Sequence, residues 1–480
     1  MQTRWKLAAL AAALLTALVA TAGPAAAARD PELLPNEQNF VDKSQKSFSA
    51  GVKSGSSRNM VAVGQNDLGG RGFNADVFVH RGFAYVGRWG FQDRSHPQFC
   101  PSDGGIAVID ARDPAAPAMV SMLQNPALTS AEDVVVYRSR FGPQQGHDIA
   151  VSGIQACGSR YDTSILRGLM LWDVSDPAHP AELGRLDIGC CTRGVHELEV
   201  GDRDDLGRTF VYGSVPNSEL PDPNTASGVR DLRGKGDARI FDVTDPSHPS
   251  EVSDWGARAS LGLDPSAGQG CFARRFGHGM TPSADGRLLF VSYWDAGFIA
   301  LDVSDPAHPV FRGRSVYAAD EDGDAHSASY DSARKLLFTA DEDFCKTGPG
   351  IVPGFGYLRV FDYANLAAPR QIGAFRTANS TGTADPGAGD YVIHNPLLVG
   401  STIVASWYTD GVRVIDVSNP TAPAEVAHFV PPAGQQPIKP ARRDTLTNTT
   451  QIWGVAFDDA SGLIFASDMN TGLWILRRTG

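Results

Sequence analysis

At 480 residues, the chain is too long for one ordinary compact domain unless repetition lets its core grow by addition. Its 51 Gly and 31 Pro, set among short β-branched runs, point to many turns and strands and few helices. A net charge of −12 with no basic stretch argues against nucleic acid as a partner.

Residues 1–28 read as a secretory signal peptide. Arg4 and Lys6 precede an apolar run from Leu7 to Ala20, and Ala26-Ala27-Ala28 satisfies the small-residue cleavage rule. Cutting after Ala28 leaves Arg29 first, brings the charge to −14 and predicts a secreted, extracellular protein. An uncleaved anchor would need a longer apolar span, and no later run suits a membrane crossing. Residues 29–57 carry Pro, Ser, Asn, Lys and Gln with little periodicity and read as an extended leader. Asn59 to Gly64 (NMVAVG) then looks like a short strand with no neighbour close by in sequence.

From about Asn74 one unit recurs. Its most visible part is GIAVIDARDPAAPAMV from Gly105, then LMLWDVSDPAHPAELG from Leu169, ARIFDVTDPSHPSEVS from Ala238 and FIALDVSDPAHPVFRG from Phe298. LRVFDYANLAAPRQIG from Leu358 and VRVIDVSNPTAPAEVA from Val412 follow, with a truncated GLWILRR from Gly472. The aspartates closing the apolar run (Asp110, Asp173, Asp242, Asp302, Asp362, Asp416) stand 54 to 69 residues apart, and Arg477 takes that place in the last copy. Each unit also holds an earlier strand, such as HELEVG from His196, a second such as TFVYGS from Thr209, and a fourth after the second proline, such as AELGRLDI from Ala181. Four short strands per unit match a propeller blade better than a helical solenoid. Asp or Asn before Pro starts the turn between strands three and four, and the first Pro presets its φ. The second Pro opens an edge strand, where a missing N–H costs least.

Six units are complete; the seventh (Trp453 to Arg478) stops one strand short. A ring with such a gap would leave an unpaired edge, and the orphan strand at Asn59–Gly64 can fill it. The expectation is an all-β, seven-bladed β-propeller over residues 58–480 whose last blade is closed by an N-terminal strand; six or eight blades is the alternative. IAVID, LMLWDVS and VRVIDVS make the chain resemble the LVIVD-repeat propellers from about Asn74 to Arg478. That resemblance implies a secreted or cell-surface bacterial β-propeller, usually without assigned chemistry. More distantly, the plan is similar to selenium-binding-protein and methanethiol-oxidase propellers, which hold metal ligands near the central axis; no residues are carried over from them.

In a propeller the first strands converge on the channel mouth. Their starts carry Asp76, Glu132, His196, His278, His326, His394 and Trp453 in repeat order, with Asp133 after Glu132 and Glu197 after His196. Four consecutive blades thus place a histidine at one position. One reading is a transition-metal site on His196, His278, His326 and His394, with Asp76, Glu132, Glu197 and Trp453 as ligand-binding neighbours. The other is that each imidazole bonds a neighbouring blade's backbone and stitches the ring. His179, His248 and His308, between the prolines of the outer turns, read as surface residues; His147 has no assigned role. The acidic runs Asp320-Glu321-Asp322-Gly323-Asp324 and Asp341-Glu342-Asp343 are read either as a calcium site or as solvated loops. Six cysteines (Cys100, Cys157, Cys190, Cys191, Cys271, Cys345) in an exported chain suggest disulfides. Adjacent Cys190 and Cys191 are expected to take different partners, one of them Cys157 or Cys271. No G-x-S-x-G elbow or strand-borne G-x-G-x-x-G is present.

These observations favour a monomeric binding or interaction module for an extracellular protein, glycan or small ligand. The alternative is a metal-dependent enzyme, an oxidoreductase or hydrolase, using the channel-mouth histidines. A structural surface protein is a third reading.

Overall fold

The computed structural model describes residues 55–90, 104–157, 162–219, 235–270, 272–344, 354–381, 389–434 and 449–480. The signal peptide, almost all of the leader, Cys100, Cys271 and Cys345 lie outside them. Seven antiparallel sheets stand around one axis, and the first five run from an inner to an outer strand in chain order. Blade four is typical, with strands Gly277–Pro282, Leu288–Tyr293, Gly297–Asp302 and Val310–Arg314. Among the described residues the only α-helix is Ala257–Leu261, and no helix is long and apolar enough to cross a membrane.

The core lies between blades. Leu289, Val291, Ile299 and Leu301 of blade four meet Phe210, Tyr212 and Ile240 of blade three, and similar clusters recur at other seams. Strands two and three are therefore buried on both faces. That is why LLFVSY and GFIALD show no polar alternation.

The turn chemistry read from the repeat is present in six blades. The aspartate ending strand three accepts the N–H two residues on, as in Ser175 to Asp173 (2.9 Å), Ser304 to Asp302 (2.9 Å) and Ser418 to Asp416 (2.8 Å). The second Asp or Asn repeats the motif, as Ala178 N–H donates to Asp176 at 3.1 Å and Ala307 N–H to Asp305 at 3.0 Å. His179, His248 and His308 rest on the same aspartates at 2.8–2.9 Å, in solvent.

Strand Met60–Asn66 pairs antiparallel with Gly472–Arg478, from Met60 opposite Arg478 to Asn66 opposite Leu473, and supplies the missing fourth strand of blade seven. The closure extends further than the sequence indicated. Ser57–Arg58 adds a fifth strand to blade six, against Phe429 and His428. Asn59, at φ 53°, turns the chain from one blade to the next and donates to the Val426 carbonyl.

One expectation is overturned. Cys190 and Cys191 are bridged to each other, their Cα atoms 3.1 Å apart across a cis peptide bond, and do not take different partners.

Because Met60 is buried among Ile464, Leu476 and Val412 at the closing seam, Met60→Ala should cost about 2–5 kcal/mol in denaturant unfolding. Deleting residues up to Asn66 should lower the melting temperature further than that substitution; unchanged melting would refute the closure.

Candidate metal centre

Each inner strand begins with an extra residue. In blade five Ala325 pairs with Asp341 and Ser327 with Ala340, leaving His326 out of register. Trp453 is displaced in the same way in blade seven, between Ile452 and Gly454. In blades three and six two residues oppose one: Ser214 exchanges backbone bonds with His196 and Glu197, and Ser406 with His394 and Asn395. Such a bulge re-aims one side chain, here into the channel. The additional N–H is answered by a hydroxyl, since Glu197, Asn395 and Gly454 donate to the Oγ of Ser214, Ser406 and Ser467 at 2.9–3.1 Å.

The register corrects one residue. Trp89, Trp294, Glu342 and Met469 donate their N–H to the carbonyls of Phe73, Phe276, Asp324 and Gln451. Two residues beyond those carbonyls stand Ala75, His278, His326 and Trp453. Blade one therefore presents Ala75 at the bulge, and Asp76 belongs to the next layer, because an inserted residue breaks the simple alternation along the strand.

The four histidines are brought together and fully buried. His196 Nε2 lies 3.0 Å from His278 Nε2, and the ring pairs His278–His326 and His326–His394 have centroids 4.1 Å apart. Trp453 covers His394 at 4.7 Å, and Trp89 covers Trp453 at 5.2 Å. Glu132 Oε2 lies 2.5 Å from His196 Nδ1, with the Gln155 amide 2.7 Å from the same nitrogen. Gly279 follows His278 because a Cβ there would lie 2.4 Å from the His326 carbonyl oxygen.

Tautomers follow from backbone partners. His326 Nδ1 lies 3.2 Å from the His394 carbonyl, and His394 Nδ1 lies 2.7 Å from the Trp453 carbonyl. A carbonyl can only accept, so both Nδ1 atoms carry the proton and both Nε2 atoms present lone pairs. His326 Nε2 faces Glu197 Oε1 at 3.4 Å and Glu342 Oε2 at 3.6 Å; His394 Nε2 faces Glu342 Oε1 at 3.7 Å. His278 Nδ1 is 3.5 Å from Glu197 Oε1. Neither Nε2 makes a hydrogen bond. Two donor sets result, Glu197–His278–His326 and His326–Glu342–His394, with His326 common to both and each set's ligand atoms within 4.8 Å of one another.

Burial, reinforced by the neighbouring imidazoles, holds His196, His326 and His394 well below the usual histidine range, so they are neutral at pH 7. The Tyr408 hydroxyl donates to Glu342 Oε1. Its own pKa is pushed up by burial and by the Glu342 charge, which keeps it a donor.

Sequence reasoning passed over Tyr408 and Gln155 and read Glu342 only as part of an acidic run. The residue following strand two forms a second ring: Trp89, Cys157, Val215, Trp294, Glu342, Tyr408 and Met469. Glu342 is the one carboxylate in that ring. Aligning the repeats on this position exposes it; inside the run Asp341-Glu342-Asp343 it is hidden.

Behind the bulges the following residues line a cavity of about 340 Å³, among them Asp76, Asp133, Glu197, Ser327 and Asn395. Burial and then the Glu197 charge push Asp133 up to about 7. Burial, then Asp133 and Glu197, raise Asp76 well above the carboxylate range. Glu197 faces both the imidazoles and this cavity.

The family model described as LVIVD repeat matches residues 165–188, 278–316 and 404–430. The chain is a seven-bladed β-propeller that carries LVIVD repeats. The matched stretches carry strands three and four of blades two, four and six, and the middle one begins at His278. No curated protein matches this LVIVD propeller. Among solved structures, it is similar to the β-propeller domain of Cps50 (Swd1) from Myceliophteria thermophila. Identity is 11%, over 85% of this chain and 98% of that one, with a TM-score of 0.48. It is also similar to the computationally designed protein Ika8, at 9% identity over 84% of this chain and 96% of that one, with a TM-score of 0.45.

Ser406 is fully buried. Ser406→Ala in the LVIVD propeller should leave the Asn395 N–H unanswered and cost about 1–3 kcal/mol by denaturant titration. A neutral result would show that the hydroxyl does not hold the bulge.

Proposed function

We propose that this LVIVD propeller is a metal-binding protein whose channel holds one first-row transition ion on His326, His394, Glu342 and Glu197, with His278 beside them. In general terms the repeats and the fold fit a binding module. One observation favours a metal. Two imidazole lone pairs, fixed as lone pairs by carbonyl-bound Nδ1 protons, point at carboxylate oxygens instead of at donors. Acceptors facing acceptors in a dry interior repel unless a cation lies between them. Mixed imidazole and carboxylate sets suit iron, copper, zinc or manganese, and the carbonyl bonds are the outer-shell partners that orient such ligands.

Bound there, the ion would supply Lewis-acid or redox chemistry, while the protein excludes water with Trp89, Trp294, Trp453 and Tyr408. The channel cavity and its carboxylates favour a small, cationic or hydrogen-bonding ligand over a macromolecule. The apolar leader and cleavage-like alanines favour export, with loading on the exported chain.

The test is metal analysis by mass spectrometry of the full chain purified through its export route. About one equivalent of a transition ion is expected, lost in His326→Asn, which belongs to both donor sets, and reduced in Glu342→Gln. Circular dichroism and melting of each variant separate lost metal from lost fold. A metal-free wild type that takes up no ion on titration contradicts the proposal, as does full occupancy in a folded His326→Asn.

A further inference from the structure

A second cluster lies beside the first. Asp295 lies in the turn between strands two and three of blade four, and Asp322 and Asp324 precede the inner strand of blade five; one oxygen of each falls within 4.8 Å of the others. All three are at least nine-tenths buried, at 8%, 5% and 3% exposure. Asp295 Oδ2 is held by the N–H groups of Gln269 and Arg274 at 3.2 and 3.0 Å. Asp295 Oδ1 and Asp324 Oδ1 have no hydrogen-bond partner. Neither Asp295 nor Asp324 makes an ion pair among the described residues.

We propose that Asp295, Asp322 and Asp324 bind a calcium ion distinct from the central transition-metal site. Two buried carboxylate oxygens, Asp295 Oδ1 and Asp324 Oδ1, that lack a hydrogen-bond partner beside a third carboxylate call for a cation. An all-oxygen, triply anionic set selects a hard one, without the imidazoles that draw transition ions. Residue 270 is glycine, and a Cβ there would lie 1.6 Å from Asp322 Oδ2, so the backbone at Gly270 closes directly onto the cluster.

The site differs from the calcium site suggested by the two acidic runs. Asp341 and Glu321 are neutralised by Arg359, at 2.5 and 2.9 Å, and Asp320 is exposed. The third carboxylate comes instead from the neighbouring blade. Its position links the two centres. Glu342 N–H donates to the Asp324 carbonyl at 2.8 Å, and Trp294, next to Asp295, packs against His278 and His326 at 5.7 and 6.4 Å. Calcium here would brace the loops that carry Glu342 and His326.

Chelator-treated full-length protein should be titrated with terbium, exciting tryptophan and reading sensitised emission from the ion beside Trp294. Calcium should then be added as competitor. Saturable emission at one equivalent, displaced by calcium and not by equal magnesium, is expected, with a calcium-dependent rise in melting temperature. Asp324→Asn should weaken calcium binding by about tenfold or more, and Asp295→Asn likewise, while a folded His394→Ala retains it. Absence of sensitised emission in the wild type would overturn the proposal. So would undiminished calcium affinity in folded Asp324→Asn and Asp295→Asn.

Discussion

Two imidazole N–H groups bonded to backbone carbonyls govern the middle of this propeller, because they decide which ring nitrogen is left over. His326 and His394 each commit Nδ1 to the carbonyl of the next bulged residue around the ring. That bond is possible only because the bulge carries its residue out of the ladder and alongside its neighbour. Stitching and the proposed ligation, which look like rival explanations of a repeated histidine, would therefore use two ends of the same ring. One nitrogen joins the blades, and the other faces Glu197 or Glu342.

The surroundings make that arrangement consequential. Trp89, Trp294, Trp453 and Tyr408 are almost wholly buried around the imidazoles, and in so dry a place uncompensated acceptors cost far more than at a surface. The repeat itself supplies none of the chemistry. It sets seven equivalent bulges, and function enters where blades depart from one another: Ala75 and Trp453 leave room or wall, Glu132 stands where others have histidine, and Glu342 interrupts a ring of large or apolar side chains.

Fold and site were unequally legible in the sequence. Turn residues act locally, so the Asp-to-backbone bonds of each outer turn and the strand count could be read from DxxDPxxP alone. The closing strand was legible because a three-stranded last unit demanded a partner. A bulge leaves no mark in a single strand, which is why Asp76 was placed one residue out of step with His278. The channel role of Glu342 and the whole of Asp295 escaped for another reason. Each lies among residues of similar charge or beside an unremarkable loop, and only the register between neighbouring blades shows where their oxygens point. The bridge between Cys190 and Cys191 likewise depends on backbone geometry that spacing does not carry.

The most direct test of this account is an anomalous-diffraction map of crystals of the exported full-length protein, collected at transition-metal absorption edges. The account predicts one peak on the channel axis, within about 2.0–2.2 Å of His326 Nε2 and a Glu342 oxygen. A channel filled only by water, with those two side chains hydrogen-bonded to it and no anomalous signal, would contradict it.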